Sequence, residues 1–184
     1  MRSIALNILD IAQNSKRAEA ANIEITLTDS VKNDTIRLSI IDDGKGMTQD
    51  FVNKATDPFV TTRTTRNIGL GLPLLKFHAE LTGGYLKIDS SPGYGTKVDV
   101  MFKRSHIDRQ PIGDIPGVIT ILSTGNTGIE IVYIHRTDKG YYRFSTIETK
   151  EFLGIDNLNE PGLSEGISEM ISQNILELAE SITY

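Results

Sequence analysis

An apolar run that ends in two carboxylates and a Gly-x-Gly turn constrains this chain more than any other stretch. Residues 36–41 are rich in β-branched side chains, which predicts a buried strand. Asp42 and Asp43 follow the run, and Gly44 and Gly46 let the backbone approach another group closely. The stretch therefore predicts a strand that delivers an acidic side chain to the mouth of a pocket.

Periodicity and turn residues predict the elements around this strand. The first 104 residues read as helix, strand, strand, short helix, polar loop, helix, strand, strand. This order predicts an α/β (α+β) two-layer sandwich, with helices on one face of a mixed or antiparallel sheet. The predicted segments are a helix at 3–20, strands at 23–27 and 36–42, a short helix at 48–55, a helix ending near 81, and strands at 85–90 and 96–103.

The character of the chain changes after residue 104, which predicts a boundary there. We expect residues 1–104 to form one domain and residues 105–184 to form a small C-terminal α/β appendage. The prediction for the second part is a connector with an apolar run, a strand hairpin and a long helix. These segments are 106–117, 118–123, 130–135 with 141–147, and 163–182.

Charge and composition limit the partners that this chain can have. The net charge is −5, and residues 105–184 carry 5 basic and 12 acidic side chains. Such an acidic region argues against nucleic acid as a partner. The chain has no cysteine, so disulfides, thiolate metal sites and cysteine nucleophiles are excluded. With no membrane-length apolar run and no signal-peptide pattern, we expect a cytoplasmic protein that does not associate with a membrane.

The first predicted helix carries three polar side chains on an otherwise apolar surface. Asn7, Asp10 and Asn14 are spaced three and four apart, so they share one face of the helix. Polar groups in such a position need hydrogen-bond partners or a wet cavity. The pattern therefore predicts that this face of the helix meets hydrogen-bond partners or a wet cavity.

Five groups of residues, taken in order, resemble the sequence motifs of the ATP-binding fold of the GHKL superfamily. This superfamily includes gyrase B, heat-shock chaperones, histidine kinases and MutL-type repair proteins. Residues 6–22 resemble the family's N-box, and 42–46 match its first glycine box. Residues 57–63 resemble the phenylalanine segment of kinase-type lids, and 69–72 and 93–96 match two further boxes. A lone Gly-x-Gly is weak evidence, whereas this ordered set is specific.

The resemblance implies an ATP site with Mg²⁺, in which Asp42 accepts a hydrogen bond from the adenine amine and Asn14 is the metal ligand. Thr96 either supports Asp42 or is an ordinary strand residue. Phe59 is expected to anchor the lid by packing. The residues that the resemblance assigns to the nucleotide are Asn14, Asp42, Gly44, Gly46, Met47, Phe59, Thr62, Arg63, Gly69, Leu70, Gly71, Leu72 and Thr96.

The reacting phosphate is expected near Asp10 and the lid. Asp10 lies four residues before Asn14, where the gyrase and MutL branches carry a glutamate, so it is our candidate general base. It could instead activate a protein hydroxyl, or bind magnesium through water. Arg63 could offset phosphate charge, whereas for Arg66 a surface role is equally consistent. Where the family usually has a further glycine, this chain has Asn67, which tolerates left-handed backbone.

Three functions fit this set of residues. The chain could be a regulator that phosphorylates Ser or Thr on a partner, similar to anti-sigma-factor kinases. It could be a slow ATPase whose lid switches an interaction surface, or a module that binds nucleotide without turnover. We expect a protein partner, and a homodimer is compatible with the sequence. His106 only faintly resembles a kinase phosphoacceptor, because the acidic residue after it has the wrong offset.

Overall fold

The computed structural model describes residues 3–56, 71–125 and 128–180. Within these ranges the chain forms one six-stranded sheet and six helices, which confirms the predicted two-layer α/β fold. The elements are α1 (Ile4–Arg17), β1 (Asn22–Ser30), β2 (Thr35–Asp42), α2 (Gln49–Lys54), α3 (Gly71–Leu81), β3 (Tyr85–Ser91), β4 (Gly95–Lys103), α4 (Ile115–Thr124), β5 (Glu130–Thr137), β6 (Gly140–Ser145), α5 (Thr146–Leu153) and α6 (Leu163–Glu180).

The sheet is mixed, with the strand order β3-β4-β2-β1-β5-β6. Neighbouring strands are antiparallel except β1 and β5, which run parallel over eight residue pairs. Burial alternates along β1 and β2, so one face of each strand packs into the core. Strands from both parts of the chain thus belong to one sheet, while the domain boundary at 104/105 stays a prediction.

The core lies between the sheet and a layer of helices. Helix α1 packs between α3 and α4, and α4 packs against α6. One connected set of buried apolar side chains joins α1, the sheet, α4 and α6. The two layers exclude water from the inward strand residues, which is the main favourable contribution to folding.

Two segments of the C-terminal part differ from the sequence prediction. Helix α4 begins at Ile115, inside the predicted connector at 106–117, and contains the apolar run at 118–123. Its N-cap Asp114 accepts a hydrogen bond from the Gly117 N–H at 2.9 Å. The predicted strand at 141–147 ends at Ser145, because this serine caps α5 and accepts from the Glu148 N–H at 3.2 Å. Capping by a serine side chain favours a helix start over a longer strand.

Candidate functional site

Helix α1 brings two of the predicted polar residues to a cavity. Asp10 and Asn14 both line it, one helical turn apart. Asn7 lies apart from them: its side chain is fully buried and its Nδ2 donates to Gln110 Oε1 at 2.9 Å. The shared polar face therefore divides between a cavity wall and a buried structural hydrogen bond.

The end of strand β2 places the Asp42 carboxylate in the same cavity. Asp42 lies opposite Thr96 in β4, and its residue is only 8% exposed. Ser15 Oγ donates to Asp42 Oδ2 at 2.6 Å, and the Gly44 N–H donates to Oδ1 at 3.0 Å. One donor on each oxygen fixes the orientation of the carboxylate and leaves further lone pairs for a ligand.

The turn after Asp42 is glycine-rich for steric reasons. Gly46 has a φ of +65°, and a Cβ there would lie 2.0 Å from the Ser91 carbonyl oxygen. Gly95 has a φ of +85°, and a Cβ there would lie 1.9 Å from the Asp42 carbonyl oxygen. Both positions thus combine a left-handed backbone with a close approach to the backbone of a neighbouring segment. The glycine boxes hold the β2 end against the β3–β4 turn.

Asp43 anchors the turn from the outside. Its Oδ1 accepts from the N–H groups of Ala21 and Asn22, each at 2.8 Å, and Oδ2 accepts from Asn22 Nδ2 at 2.6 Å. The Asn22 side chain, followed by these backbone donors, holds the pKa of the Asp43 carboxyl below its ordinary value. Asp43 is exposed and does not line the cavity.

Thr96 lines the cavity but hydrogen bonds to a serine. Its Oγ1 lies 3.0 Å from Ser90 Oγ, which itself donates to the Gly95 carbonyl oxygen at 2.8 Å. Ser90 Oγ also accepts from the Met47 N–H at 2.9 Å, so this network ties Met47 to the hairpin. The direct hydrogen bond to Asp42 comes from Ser15, while the support of Asp42 by Thr96 stays a prediction.

The cavity has a volume of about 290 Å³, close to the lower end of the usual range for ligand pockets. Its described wall combines apolar side chains with a few polar groups. The lining residues are Asp10, Ile11, Asn14, Ser15, Arg17, Ala18, Asp42, Lys45, Gly46, Met47, Phe51, Ala55, Gly71, Leu72, Thr96 and Val98. Gly44 supports the wall from behind, because a Cβ there would lie 2.7 Å from the Ala18 carbonyl oxygen.

Several predicted site residues fall outside the described part of the chain. These are Phe59, Thr62, Arg63, Gly69 and Leu70, together with Arg66 and Asn67. Of the second glycine box, Gly71 and Leu72 are described, and both line the cavity at the start of α3.

Asn14, the predicted metal ligand, has an arginine partner in this structure. Arg17 Nη1 donates to Asn14 Oδ1 at 2.5 Å, and both residues line the cavity. Oxygen donors of this kind suit Mg²⁺, which prefers hard ligands. Across the residues that the structure describes, no group of three or more His, Cys, Asp or Glu could hold a metal. The Asn14 Oδ1 atom is therefore the candidate ligand for a Mg²⁺ ion that binds together with a nucleotide.

The sequence prediction missed eight of the wall residues, among them Ser15, Arg17 and Phe51. Ser15 did carry a signal, since a hydroxyl stood in the apolar stripe of α1, where a buried polar group needs a partner. Arg17 follows Asn14 by three residues, a spacing that brings side chains together on a helix. For Phe51 the local pattern gave no sign, because its place on the wall depends on how α2 sits against the sheet.

Comparison with known proteins identifies the family of this chain. A family model described as histidine kinase-, DNA gyrase B-, and HSP90-like ATPase matches residues 1–106. The chain therefore belongs to this family of ATPases, which confirms the resemblance seen in the glycine boxes. The family's domain implies ATP binding, which is therefore expected of residues 1–106.

Relatives are found among bacterial kinases. A putative NtrY-like sensor histidine kinase of Rickettsia conorii is 31% identical over 109 residues, which are 59% of this chain and 18% of the relative. The cell-division control histidine kinase PdhS of Brucella anthropi is 31% identical over 121 residues, 58% of this chain and 11% of the relative. The chain thus spans less than a fifth of either kinase.

A solved structure supports the fold alone. The crystal structure of the N-terminal domain of a DNA repair protein matches with a TM-score of 0.55 and 17% identity. The match covers 79% of this chain and 52% of the DNA repair protein's chain. Among the residues that the structure describes, no helix has both the length and the apolar character needed to cross a membrane.

Proposed function

We propose that this chain is a Mg-ATP-binding regulatory protein that couples ATP binding, hydrolysis or phosphotransfer to a protein partner. The observation that carries the proposal is the buried Asp42 carboxylate, fixed by Ser15 and Gly44 at one end of a cavity. A carboxylate held this way accepts a hydrogen bond from the exocyclic amine of adenine.

The other described residues of the cavity have consistent roles in this proposal. The N-terminus of α3 at Gly71 offers backbone N–H groups and a positive helix end for phosphates. The Asn14 amide oxygen would hold Mg²⁺ together with phosphate oxygens, once Arg17 releases it. Bound Mg²⁺ supplies neutralisation of phosphate charge. Asp10 is the carboxylate that we assign to activating the attacking water or hydroxyl.

The partner proposal rests on the acidic region 105–184, whose strands β5 and β6 extend the sheet. We propose that this region contacts a protein rather than nucleic acid, in the cytoplasm and away from membranes. The partner is either another protein or a second copy of this chain. His106 does not serve as a phosphoacceptor within one molecule under this proposal. Lys103, at the far end of β4, lies about 23 Å from Thr96, at ~3.3 Å per strand residue, and His106 follows Lys103 in the chain. His106 is therefore far from the cavity end of β4.

The binding step is tested by the substitution Asp42→Asn. An amide presents a donor where the adenine amine needs an acceptor, so we expect ATP affinity to fall at least about tenfold, or ~1.4 kcal/mol. Titration calorimetry with Mg·ATP measures the change. Asp89→Asn is a matched control, because Asp89 lies on β3 outside the cavity wall. Unchanged ATP affinity in Asp42→Asn would contradict the proposed role.

The fate of the γ-phosphate is decided by a second assay. Purified protein is incubated with γ-labelled Mg·ATP, and free phosphate and labelled protein are followed separately. Free phosphate alone supports the ATPase, and label on an added partner supports the alternative, an anti-sigma-factor-like Ser/Thr kinase. Tight binding with neither product supports the other alternative, a nucleotide-gated binding module without turnover.

A further inference from the structure

Phe51 is the only aromatic side chain among the described residues that line the nucleotide cavity. It belongs to α2, and Ala55 lines the cavity four residues later. Residues four apart share one face of a helix, so α2 and its C-cap turn this face to the cavity. Other elements supply aliphatic lining residues, including Ile11 and Val98. One aromatic ring thus faces a space whose remaining wall is part aliphatic and part polar.

The position of Phe51 is fixed relative to the Asp42 end of the cavity. The Met47 N–H bonds to Ser90 Oγ, and Gly46 fits closely against Ser91, so the turn before α2 is held to the β3–β4 hairpin. Thr48 then caps α2, with Oγ1 accepting from the Phe51 N–H at 3.4 Å. These contacts anchor the start of α2 and with it the backbone position of Phe51 at the cavity wall.

The ring of Phe51 is incompletely covered by the protein. None of the six residues of α2 is buried, and Phe51 is half-buried. Phe51 is not one of the partly buried apolar residues that pack against the core. Because burying apolar surface lowers the free energy, a flat apolar ligand that covers this open ring is bound more tightly.

We propose that Phe51 is the stacking platform for the nucleobase and that it sets the preference of this site for a purine over a pyrimidine. This inference rests on the proposed ATP-binding function. Asp42 accepts from an exocyclic amine, and both adenine and cytosine carry one, so the carboxylate alone does not distinguish them. Stacking does, because a bicyclic purine covers more of the aromatic ring than a single pyrimidine ring does.

The test compares ATP, CTP and inorganic tripolyphosphate in calorimetric titrations with Mg²⁺ present. We expect Phe51→Leu to weaken ATP binding about tenfold, equivalent to ~1.4 kcal/mol, and CTP binding less, with tripolyphosphate unchanged. Phe77→Leu is the matched control, because Phe77 on α3 is 58% exposed and lies outside the cavity wall. The chain contains no tryptophan, so Phe51→Trp adds a single fluorophore that a stacked adenine is expected to quench.

The outcomes separate this inference from the function beneath it. If the wild type does not bind ATP, the proposed function fails, and the inference fails with it. If the wild type binds ATP and Phe51→Leu keeps the same ratio of ATP to CTP affinity, the stacking role alone is overturned. The stacking role is also overturned if Phe51→Leu weakens tripolyphosphate as much as ATP, since the ring then acts only through the stability of α2.

Discussion

At the level of single residues, the site depends on the hydrogen bond between Ser15 and Asp42. The two residues are 27 positions apart in the chain, yet their oxygens lie 2.6 Å from each other in a buried position. Hydrogen bonds to a charged group contribute about 1.5–3 kcal/mol, more than those between neutral groups. Ser15 is therefore a positioning residue that acts on a ligand through the carboxylate.

We predict that Ser15→Ala lowers ATP affinity about fivefold to tenfold, because Asp42 loses the donor that fixes one of its oxygens. Calorimetric titration with Mg·ATP measures the affinity. Ser123→Ala is the matched control: Ser123 is also a buried helix serine, bonded to the Ile119 carbonyl oxygen at 2.7 Å, but it lies outside the cavity. Equal affinities for wild type and Ser15→Ala would refute the positioning role.

At the level of helices and strands, the turn between β2 and α2 holds the cavity together. Gly93 N–H donates to the Lys45 carbonyl oxygen, and Lys45 N–H donates to that of Ala18, each at 2.8 Å. The turn thus connects the β3–β4 hairpin on one side with the end of α1 on the other. Because it carries Met47 and leads into α2, a change in its backbone alters several walls at once.

Gly46→Ala is expected to destabilise the fold by at least about 1–2 kcal/mol, the cost of a left-handed alanine, with more from the clash against Ser91. Thermal unfolding should show the melting temperature falling by about 2–4 °C per kcal/mol. In Gly166→Ala, on helix α6, the new methyl group would meet no atom within 4 Å. That control should be neutral or stabilising by up to about 1 kcal/mol. A melting temperature for Gly46→Ala equal to the wild type would show that the turn tolerates a side chain.

At the level of the complete fold, the C-terminal part is structurally tied to the helix that carries Asp10 and Asn14. The N–H groups of Ile4 and Ala5, at the start of α1, donate to the carbonyl oxygens of Pro111 and Ile112 at 3.0 and 2.8 Å. Helix starts leave such donors without partners inside the helix, so the connector satisfies them. Together with the pairing of β1 and β5, this contact joins residues 105–184 to the helix and the sheet that carry the cavity.

A buried histidine in the C-terminal part makes the stability of the fold depend on pH. His135, on β5, is 6% exposed, and its Nδ1 lies 2.7 Å from the Tyr133 hydroxyl. Burial lowers the pKa of His135 below its ordinary value of 6.5, while nearby Asp29 acts weakly in the opposite direction. The unfolded chain therefore binds the proton more readily. Stability is complete above about pH 6.5 and decreases as the pH falls from there toward the folded-state pKa.

We predict that His135→Gln reduces this loss of stability at acidic pH, because glutamine keeps a polar partner for Tyr133 and does not titrate. Melting temperatures measured from pH 7.5 to 5 provide the comparison. A smaller acid sensitivity should remain, since burial also lowers the pKa of His78. If wild type and His135→Gln lose stability in parallel, the buried histidine is not the group responsible.

The local features of this protein could be predicted from the amino-acid sequence. β-Branched runs and alternation placed the strands, apolar spacing placed α1 and α6, and the ordered glycine boxes identified the family. These signals are readable because periodicity and backbone conformation depend on neighbours within a few residues.

Which distant residues share the cavity was settled by the three-dimensional packing. The pairing of Ser15 with Asp42, the place of Phe51 on the wall and the addition of β5 beside β1 follow from contacts across long stretches of chain. Strand order and hydrogen bonds of this kind depend on the simultaneous packing of the sheet and helices. The acidic end of β2 could be predicted from the sequence. Its hydrogen bond to Ser15 on α1, and the place of Phe51 of α2 in the same cavity, depend on how these elements pack together.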